Sequence, residues 1–159
     1  MDTIHATCVA LDGRGVVLRG PSGSGKSDLA LRLIDGGAVL VADDRVIVTV
    51  DGGRVRAHAP DPLRGLLEVR GIGPVRVNTA PAADVVLVVD LTPGQCRERL
   101  PEPEFARFGP VAVPCLRLDP FQASAAAKVR IAIAAIPPAG GRMEVVEVAA
   151  AQSEEASDG

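Results

Sequence analysis

The sequence predicts a mixed α/β domain in which short strands outnumber helices. A buried strand, a glycine-rich loop and an amphipathic helix follow one another within residues 16–34, and a second buried strand occupies 39–42. Strand, helix and strand within about thirty residues are typical of mixed α/β folds. Many short apolar segments follow, separated by Gly and Pro, so we expect an α+β arrangement rather than a regular doubly wound sheet.

Each element is predicted from an apolar run and from the residues that bound it. The helices are residues 27–34, which Gly36 and Gly37 end, and the alanine-rich segment 123–135. Five prolines between residues 101 and 120 predict an irregular, looped stretch. The predicted strands are residues 16–19, 39–42, 46–50, 54–57, 66–69, 75–77 and 85–91.

The length of 159 residues is that of one domain with a sizeable core. We assign residues 1–136 to this domain. Residues 137–159 are predicted to be a weakly structured tail, because they end in the acidic segment SEEASDG.

The composition argues against several classes of function. Aromatic residues make up 2% of the chain and the formal net charge is −3, so neither base-stacking surfaces nor a basic field for nucleic acid is expected. No apolar run is long enough to cross a bilayer, and no basic, secretory N-terminal region is present. The three cysteines lack a CxxC spacing, which favours reduced thiols in the cytoplasm.

Residues 20–27 match the phosphate-binding pattern G-x-x-x-x-G-K-[ST] in full. The glycines let successive backbone N–H groups point at phosphate oxygens, and the following helix adds its positive end. A lysine here holds the β- and γ-phosphates, and the Ser hydroxyl can bind Mg²⁺. We therefore predict a P-loop that binds ATP and Mg²⁺ through Gly20, Pro21, Ser22, Gly23, Ser24, Gly25, Lys26 and Ser27.

Two buried strands end in acidic residues that could serve the bound nucleotide. Asp43 and Asp44 follow the strand 39–42, and Asp90 lies near the end of 85–91. Adjacent carboxylates repel each other unless a cation compensates one of them, which would leave the other as a general base. We favour Asp43 and Asp44 over Asp90, which is otherwise a strand terminus facing water.

Glu68 and His5 are ambiguous from the residues alone. Glu68 lies in an apolar strand, and its partner would be either Arg70 or a metal. A lone His before a strand, such as His5, is more often structural or solvated than catalytic.

Four segments together resemble the HPr kinase/phosphorylase family. They are His5-Ala6, residues 20–27, residues 40–46 (LVADDRV) and residues 66–73 (LLEVRGIG), in the family's order and near its spacing. The resemblance is strong over residues 5–91 and loose beyond. It implies a P-loop kinase domain related to the nucleotide-binding fold of phosphoenolpyruvate carboxykinase, acting on a serine of the phosphocarrier protein HPr of the phosphotransferase system.

The same resemblance implies roles for individual residues. Ser27 and Glu68 would bind Mg²⁺, and Lys26 would hold phosphate. The pair Asp43 and Asp44 would supply the general base, with a preference for Asp44, and His5 would steady the pair. Arg99 is matched to the family's catalytic arginine.

The sequence departs from the family pattern in two ways that change what we expect of it. The family usually has an additional N-terminal domain, so the chain resembles the short, stand-alone catalytic form of alphaproteobacteria. The family's basic loop, linked to dephosphorylation, corresponds here to residues 118–123, which contain no basic residue. We therefore expect a cytoplasmic, homo-oligomeric kinase with an HPr-like partner and weak phosphorylase activity.

Two other functions remain open at this point. One is a small-molecule P-loop kinase, which should have an arginine-rich lid, whereas residues 101–120 contain few arginines. The other is a non-catalytic nucleotide sensor.

Overall fold

The structure is a computed structural model that describes residues 1–95, 102–138 and 140–145. This part of the chain contains two α-helices, α1 (Lys26–Asp35) and α2 (Ala125–Ala134), and a short 3₁₀ turn at Asp61–Leu63. The strands are β1 (Asp2–Leu11), β2 (Arg14–Arg19), β3 (Val39–Ala42), β4 (Arg45–Asp51), β5 (Arg54–His58), β6 (Leu66–Val69), β7 (Gly73–Arg76), β8 (Ala83–Leu91), β9 (Glu104–Phe108) and β10 (Val111–Leu118). The predicted mixed α/β class is confirmed.

Eight strands form one sheet, and β6 and β7 form a separate antiparallel hairpin. The strand order is β2-β1-β4-β5-β8-β10-β9, with β3 paired to β1. Strand β8 also pairs in parallel with β2, from Arg14 opposite Asp84 to Arg19 opposite Asp90. Strand β2 is therefore paired on both sides, with β1 and with β8. The loop that follows Arg19 starts at the end of this doubly paired strand.

Apolar side chains form two clusters, one on each face of the sheet. The first joins the sheet to the helices and includes Leu18, Leu29, Leu33, Val89 and Val129. The second consists mainly of alanine and valine, such as Val17, Val48 and Val88. Since successive residues of a strand point to opposite faces, β2 contributes Val17 to one cluster and Leu18 to the other.

Helix α1 follows β2 after the glycine-rich loop and packs on the first cluster. Leu29, Ala30 and Leu33 are buried, at the spacing that places them on one face of a helix. The helix ends at Gly36, whose N–H donates to the carbonyls of Arg32 and Leu33. The Arg130 guanidinium of α2 donates to the Arg32 carbonyl at 3.0 Å, so the two helices are joined at this end.

The prediction of a looped stretch over residues 101–120 is wrong for most of its length. Residues 104–118 form the β9–β10 hairpin, whose turn contains Gly109 (φ = 57°) and Pro110. A proline has no N–H to donate to a ladder, and the parallel ladder between β10 and β8 begins at Cys115, directly after Pro114. Pro114 therefore lies within the β9–β10 ladder, opposite Phe105, but one residue before the parallel ladder with β8.

The remaining predicted elements are observed, two of them with unchanged bounds. Strands β3 and β6 have the predicted limits, and β4 and β5 form the predicted hairpin around Asp51-Gly52-Gly53. Strand β1 is not among the predicted strands, and His5 lies inside it rather than before a strand.

The chain after α2 is tied back to the start of β2. The Arg14 guanidinium donates to the carbonyls of Ile133, Ile136 and Pro137 at 2.7–3.0 Å. Met143 packs on the first cluster, and the Glu144 N–H donates to the Ala135 carbonyl at 2.7 Å. Neither described helix is long and apolar enough to cross a membrane.

Candidate active site

The glycine-rich loop between β2 and α1 has a backbone conformation that favours glycine at two positions. Gly23 and Gly25 have φ of 82° and 99°, in the left-handed region that side chains disfavour. A Cβ built on Gly20 would lie 2.4 Å from Ser24 Oγ, so a larger residue would displace Ser24. The loop thus curls tightly over the start of α1.

The curled loop presents polar groups suited to an anion. Helix α1 begins with the N–H groups of Lys26 and Ser27, which donate to no other group in the described chain. Ser24 Oγ is buried and likewise has no partner among the described residues. Free donors at a helix N-terminus, inside a glycine cradle, fit the phosphates of a nucleotide.

Lys26 lies inside this loop rather than extending into solvent. Its Nζ donates to the carbonyls of Gly20 at 2.6 Å and Pro21 at 3.0 Å. Loss of hydration lowers the pKa of Lys26, and the negative charges of Asp44 and Asp43 oppose that change. The ammonium group therefore lies within the electrostatic reach of both acids.

Asp43 is a buried carboxylate at the end of β3 that accepts three hydrogen bonds. Its Oδ1 accepts from Thr7 Oγ1 at 2.8 Å and from Ser27 Oγ at 2.9 Å, and its Oδ2 accepts from the Glu68 N–H at 2.9 Å. These contacts join β1, α1 and β6 at one side chain. Because both carboxylate oxygens accept hydrogen bonds, the Asp43 side chain is held in one position between these three elements.

Asp44 differs from its neighbour in backbone and in exposure. Its φ is 68°, in the left-handed region that aspartate adopts more often than most residues other than glycine. The carboxylate is 65% exposed, and its Oδ1 lies 2.9 Å from His5 Nε2. In strand β1, His5 and Thr7 are two residues apart, so one face of a single strand contacts both acids.

The surroundings of Ser27 suit a divalent cation that also contacts phosphate oxygens. Hard cations prefer oxygen ligands, and the Ser27 hydroxyl, the Asp43 carboxylate and the nearby Glu68 are oxygen donors. No group of three or more His, Cys, Asp or Glu within the described ranges could hold a metal by itself. A cation here would be shared with the nucleotide, as is usual for Mg²⁺ in kinases.

Glu68 reaches the site through its main chain. The alternation of β6 buries Leu67 and Val69 and leaves the Glu68 side chain exposed. Among the described side chains, no ion pair joins Glu68 to Arg70, so the first of the two predicted partners is not observed. Arg99 lies outside the described residues.

The alternative acid, Asp90, forms an ion pair with Arg19. Arg19 donates to both Asp90 oxygens, at 2.7 and 2.9 Å. Burial alone would raise the pKa of Asp90, but the hydrogen bonds and charge of Arg19 outweigh burial and lower it. Cys115 Sγ also donates to Asp90 Oδ2 at 3.3 Å. Asp90 is thus paired with Arg19, whereas Asp43 contacts Ser27 and Asp44 contacts His5.

Thr7 is the site residue that sequence reasoning missed. A threonine inside an apolar strand is ordinary, because β-branched residues are favoured in strands. The available signal was its spacing of two residues from His5, which puts both side chains on one face of the strand.

Comparison with known proteins gives a consistent result. Residues 1–90 match the model of the family described as HPr Serine kinase C-terminal domain. The chain is 36% identical over 95 residues to the HPr kinase/phosphorylase of Mycoplasmopsis pulmonis, a match that covers 55% of this chain and 31% of that protein. It is 36% identical over 115 residues to the HPr kinase/phosphorylase of Limosilactobacillus reuteri, covering 67% and 34% respectively. The matched part is thus about a third of each relative.

A solved structure with the same fold is that of the Hpr(Ser) kinase/phosphatase from Coxiella burnetii. The two superpose with a TM-score of 0.75 at 22% sequence identity, over 84% of this chain and 95% of that one. This likeness confirms the fold. The family match spans more than half of the chain, including the phosphate loop and both acids, and the resemblance inferred from the sequence is confirmed. The chain belongs to the HPr serine kinase C-terminal domain family.

Proposed function

We propose that this domain is an ATP-dependent kinase that phosphorylates a serine of an HPr-like phosphocarrier protein. The observation that carries the proposal is the hydrogen bond between Ser27 of the phosphate loop and Asp43 of the acid pair. This contact brings together a place for phosphates and a pair of carboxylates. The names of the relatives, HPr kinase/phosphorylase, supply the class of reaction and the partner.

The phosphate loop would position the nucleotide. The N–H groups of Lys26 and Ser27 point from the start of α1, and the Lys26 ammonium would exchange its loop carbonyls for the β- and γ-phosphates. Phosphoryl transfer needs positioning and charge neutralisation more than covalent help from the protein. A buried lysine beside free backbone donors supplies both.

Ser27, Asp43 and Glu68 would hold Mg²⁺. When bound, Mg²⁺ neutralises charge that develops on the phosphate oxygens. The contact of Ser27 with Asp43 already orients this hydroxyl, while Thr7 and the Glu68 N–H fix the carboxylate.

Asp44 would be the general base. A base must be reachable and must have an oxygen free to receive a proton. The Asp44 carboxylate is exposed and, among the described residues, hydrogen-bonds only His5, whereas Asp43 accepts three hydrogen bonds. The serine hydroxyl of the carrier would give its proton to Asp44 while its oxygen attacks the γ-phosphorus and the bond to ADP breaks. His5 would hold Asp44 in place.

Some expectations stay predictions of this proposal. They are the catalytic role of Arg99, the tail over residues 137–159, a cytoplasmic location and a homo-oligomer. A binding-only nucleotide sensor is the alternative function, and a labelling experiment separates it from a kinase.

The proposal is tested by transfer of label from [γ-³²P]ATP to a purified HPr-like protein. We expect labelled phosphoserine with the wild type, and a loss of about two to three orders of magnitude in rate with Lys26→Met, which keeps the side-chain stem but removes its charge. Lys128→Met is the matched control, because Lys128 is the other lysine of the chain and, in the part of the chain that the structure describes, hydrogen-bonds Gln122 on the surface. Nucleotide binding without label on the carrier would favour the sensor.

A further inference from the structure

Phe121 lies directly against the phosphate loop. A Cβ built on Gly25 would be 3.3 Å from the Cε1 and Cζ atoms of the Phe121 ring and 3.0 Å from Pro120 Cγ. The ring therefore packs on the backbone of the loop at the residue before Lys26. A bulky residue at position 25 would push the ring away.

The segment that carries this ring is held from both sides. Arg32 of α1 donates to the carbonyl oxygens of Pro120 and Gln122, and its guanidinium also pairs with Asp28. The Asp119 carboxylate accepts a hydrogen bond from the Phe121 N–H at 3.0 Å. The position of the ring is thus fixed by polar contacts of its neighbours.

Despite this fixed position, the ring is 60% exposed. It is one of only three aromatic side chains in a chain without Trp or Tyr. An exposed aromatic ring beside a binding loop is a surface suited to a flat apolar partner. The surrounding segment, residues 119–123, carries no cation that would attract a further phosphate.

We propose that Phe121 is the stacking surface for the purine base of the nucleotide. This inference rests on the proposed function, since it assumes that phosphates occupy the loop. A nucleotide anchored by its phosphates at Gly25 and Lys26 must extend its ribose and base over the surface next to the loop, and Phe121 forms part of that surface. An aromatic face binds any purine, so stacking supplies affinity without selecting between ATP and GTP.

The test compares a ligand that has a base with one that has none. Kd is measured by calorimetry for MgATP and for magnesium tripolyphosphate. Phe121→Leu should weaken MgATP about five- to thirtyfold and leave tripolyphosphate unchanged, because only the stacking contact is lost. Phe105→Leu is the matched control, as Phe105 is also a partly exposed ring but lies on β9, opposite Pro114 of β10.

A second variant reports stacking directly. Phe121→Trp would be the only tryptophan of the chain. Its fluorescence should be quenched on addition of MgATP and remain unchanged on addition of tripolyphosphate.

The outcomes separate this inference from the proposed function. If Phe121→Leu leaves the Kd for MgATP unchanged, or raises the Kd of MgATP and of tripolyphosphate equally, the base does not stack on Phe121. The proposed binding of phosphates by the loop is not affected by either result. An unchanged Kd with a raised KM for the carrier would assign the ring to carrier docking instead. If the wild type binds neither ligand, the proposed function fails, and this inference fails with it.

Discussion

Ser27 Oγ donates to Asp43 Oδ1 at 2.9 Å, which fixes the first turn of α1 against the end of β3. The phosphate loop and the acid pair come from different elements, and this contact sets the distance between them. In the proposed kinase, a shift of either element would misplace the nucleotide relative to the general base, and such misplacement lowers the rate. Different roles for the two neighbouring acids follow from the same geometry.

The first prediction separates Asp43 from Asp44. Asp44→Asn should lower the phosphoryl-transfer rate by about two to four orders of magnitude, which is the range of a general base. Because Asp44 is exposed, thermal stability should hardly change. Asp43→Asn should lower activity and also destabilise the fold by about 1–3 kcal/mol, since an amide cannot accept all three of its buried hydrogen bonds.

Steady-state kinetics and chemical denaturation of both variants check this assignment. Asp90→Asn is the control for loss of an acid elsewhere; it should affect stability through Arg19 but spare the chemical step. Full activity in Asp44→Asn would show that another group is the general base.

The second prediction concerns Thr7. Thr7→Val keeps the shape of the buried side chain and removes the hydroxyl that donates to Asp43 at 2.8 Å. We expect a loss of about 1.5–3 kcal/mol in unfolding free energy, the range for a hydrogen bond to a charged group, and a lower kcat. Thr7→Ser retains the donor and should recover most of both. Equal behaviour of the Val and Ser variants would show that the hydroxyl does not orient Asp43.

The third prediction uses the two described thiols. Burial raises the pKa of Cys8 to about 12, and burial followed by the charge of Asp90 raises that of Cys115 to about 12. Neither thiol should react with iodoacetamide at pH 8 in the native protein, as measured by peptide mass mapping. Rapid labelling of either one in the folded state would contradict this.

The same thiols make stability depend on alkaline pH. Their folded pKa is above the ordinary value of 9.0, so the unfolded chain loses these protons first. Unfolding free energy should therefore fall as pH rises from about 9 towards 12. The double variant Cys8→Ala and Cys115→Ala, compared at each pH with its own stability near neutrality, should show a weaker alkaline decline.

The fourth prediction concerns the direction of the reaction. Pro120 and Phe121 lie against the phosphate loop, and residues 119–123 contain no positive charge. The nearby Arg32 already hydrogen-bonds two carbonyls and pairs with Asp28. An incoming phosphate would lack a dedicated cation, which should cost about two to three orders of magnitude in rate. Phosphoserine carrier incubated with Mg²⁺ and inorganic phosphate should lose its phosphate slowly, as followed by mass. Rates equal to the forward reaction would contradict this prediction and point to Lys128, Arg130 or a neighbouring subunit as the source of the missing positive charge.

Most of the fold could be predicted because its signals are local. The strand, glycine loop and helix of residues 14–35 follow from apolar runs and glycines alone. The β9–β10 hairpin could not be predicted in this way, because Pro114 breaks the apolar pattern. Pro114 is paired with Phe105 of β9, and the parallel pairing with β8 begins only at Cys115. Such pairing joins segments distant in sequence.

The candidate site was predicted to a similar degree. The phosphate loop and the acid pair are contiguous motifs, so sequence identified them. The different surroundings of Asp43 and Asp44 depend on contacts from β1 and β6, and neither Thr7 nor the Glu68 N–H is marked by residue type. The commitment of Asp90 to Arg19 likewise arises from the register of β2 with β8.

If Asp44 is the general base, as proposed, its left-handed backbone makes stability and activity compete at this residue. At φ = 68° an aspartate is more strained than a glycine would be. A non-glycine residue in this region typically lowers the free energy of unfolding by about 1–3 kcal/mol. Substitutions that relax this position would make a more robust protein that has lost its exposed carboxylate. Directed evolution for thermal tolerance alone would thus tend to erase this residue. A selection for stability in this domain should therefore always include activity.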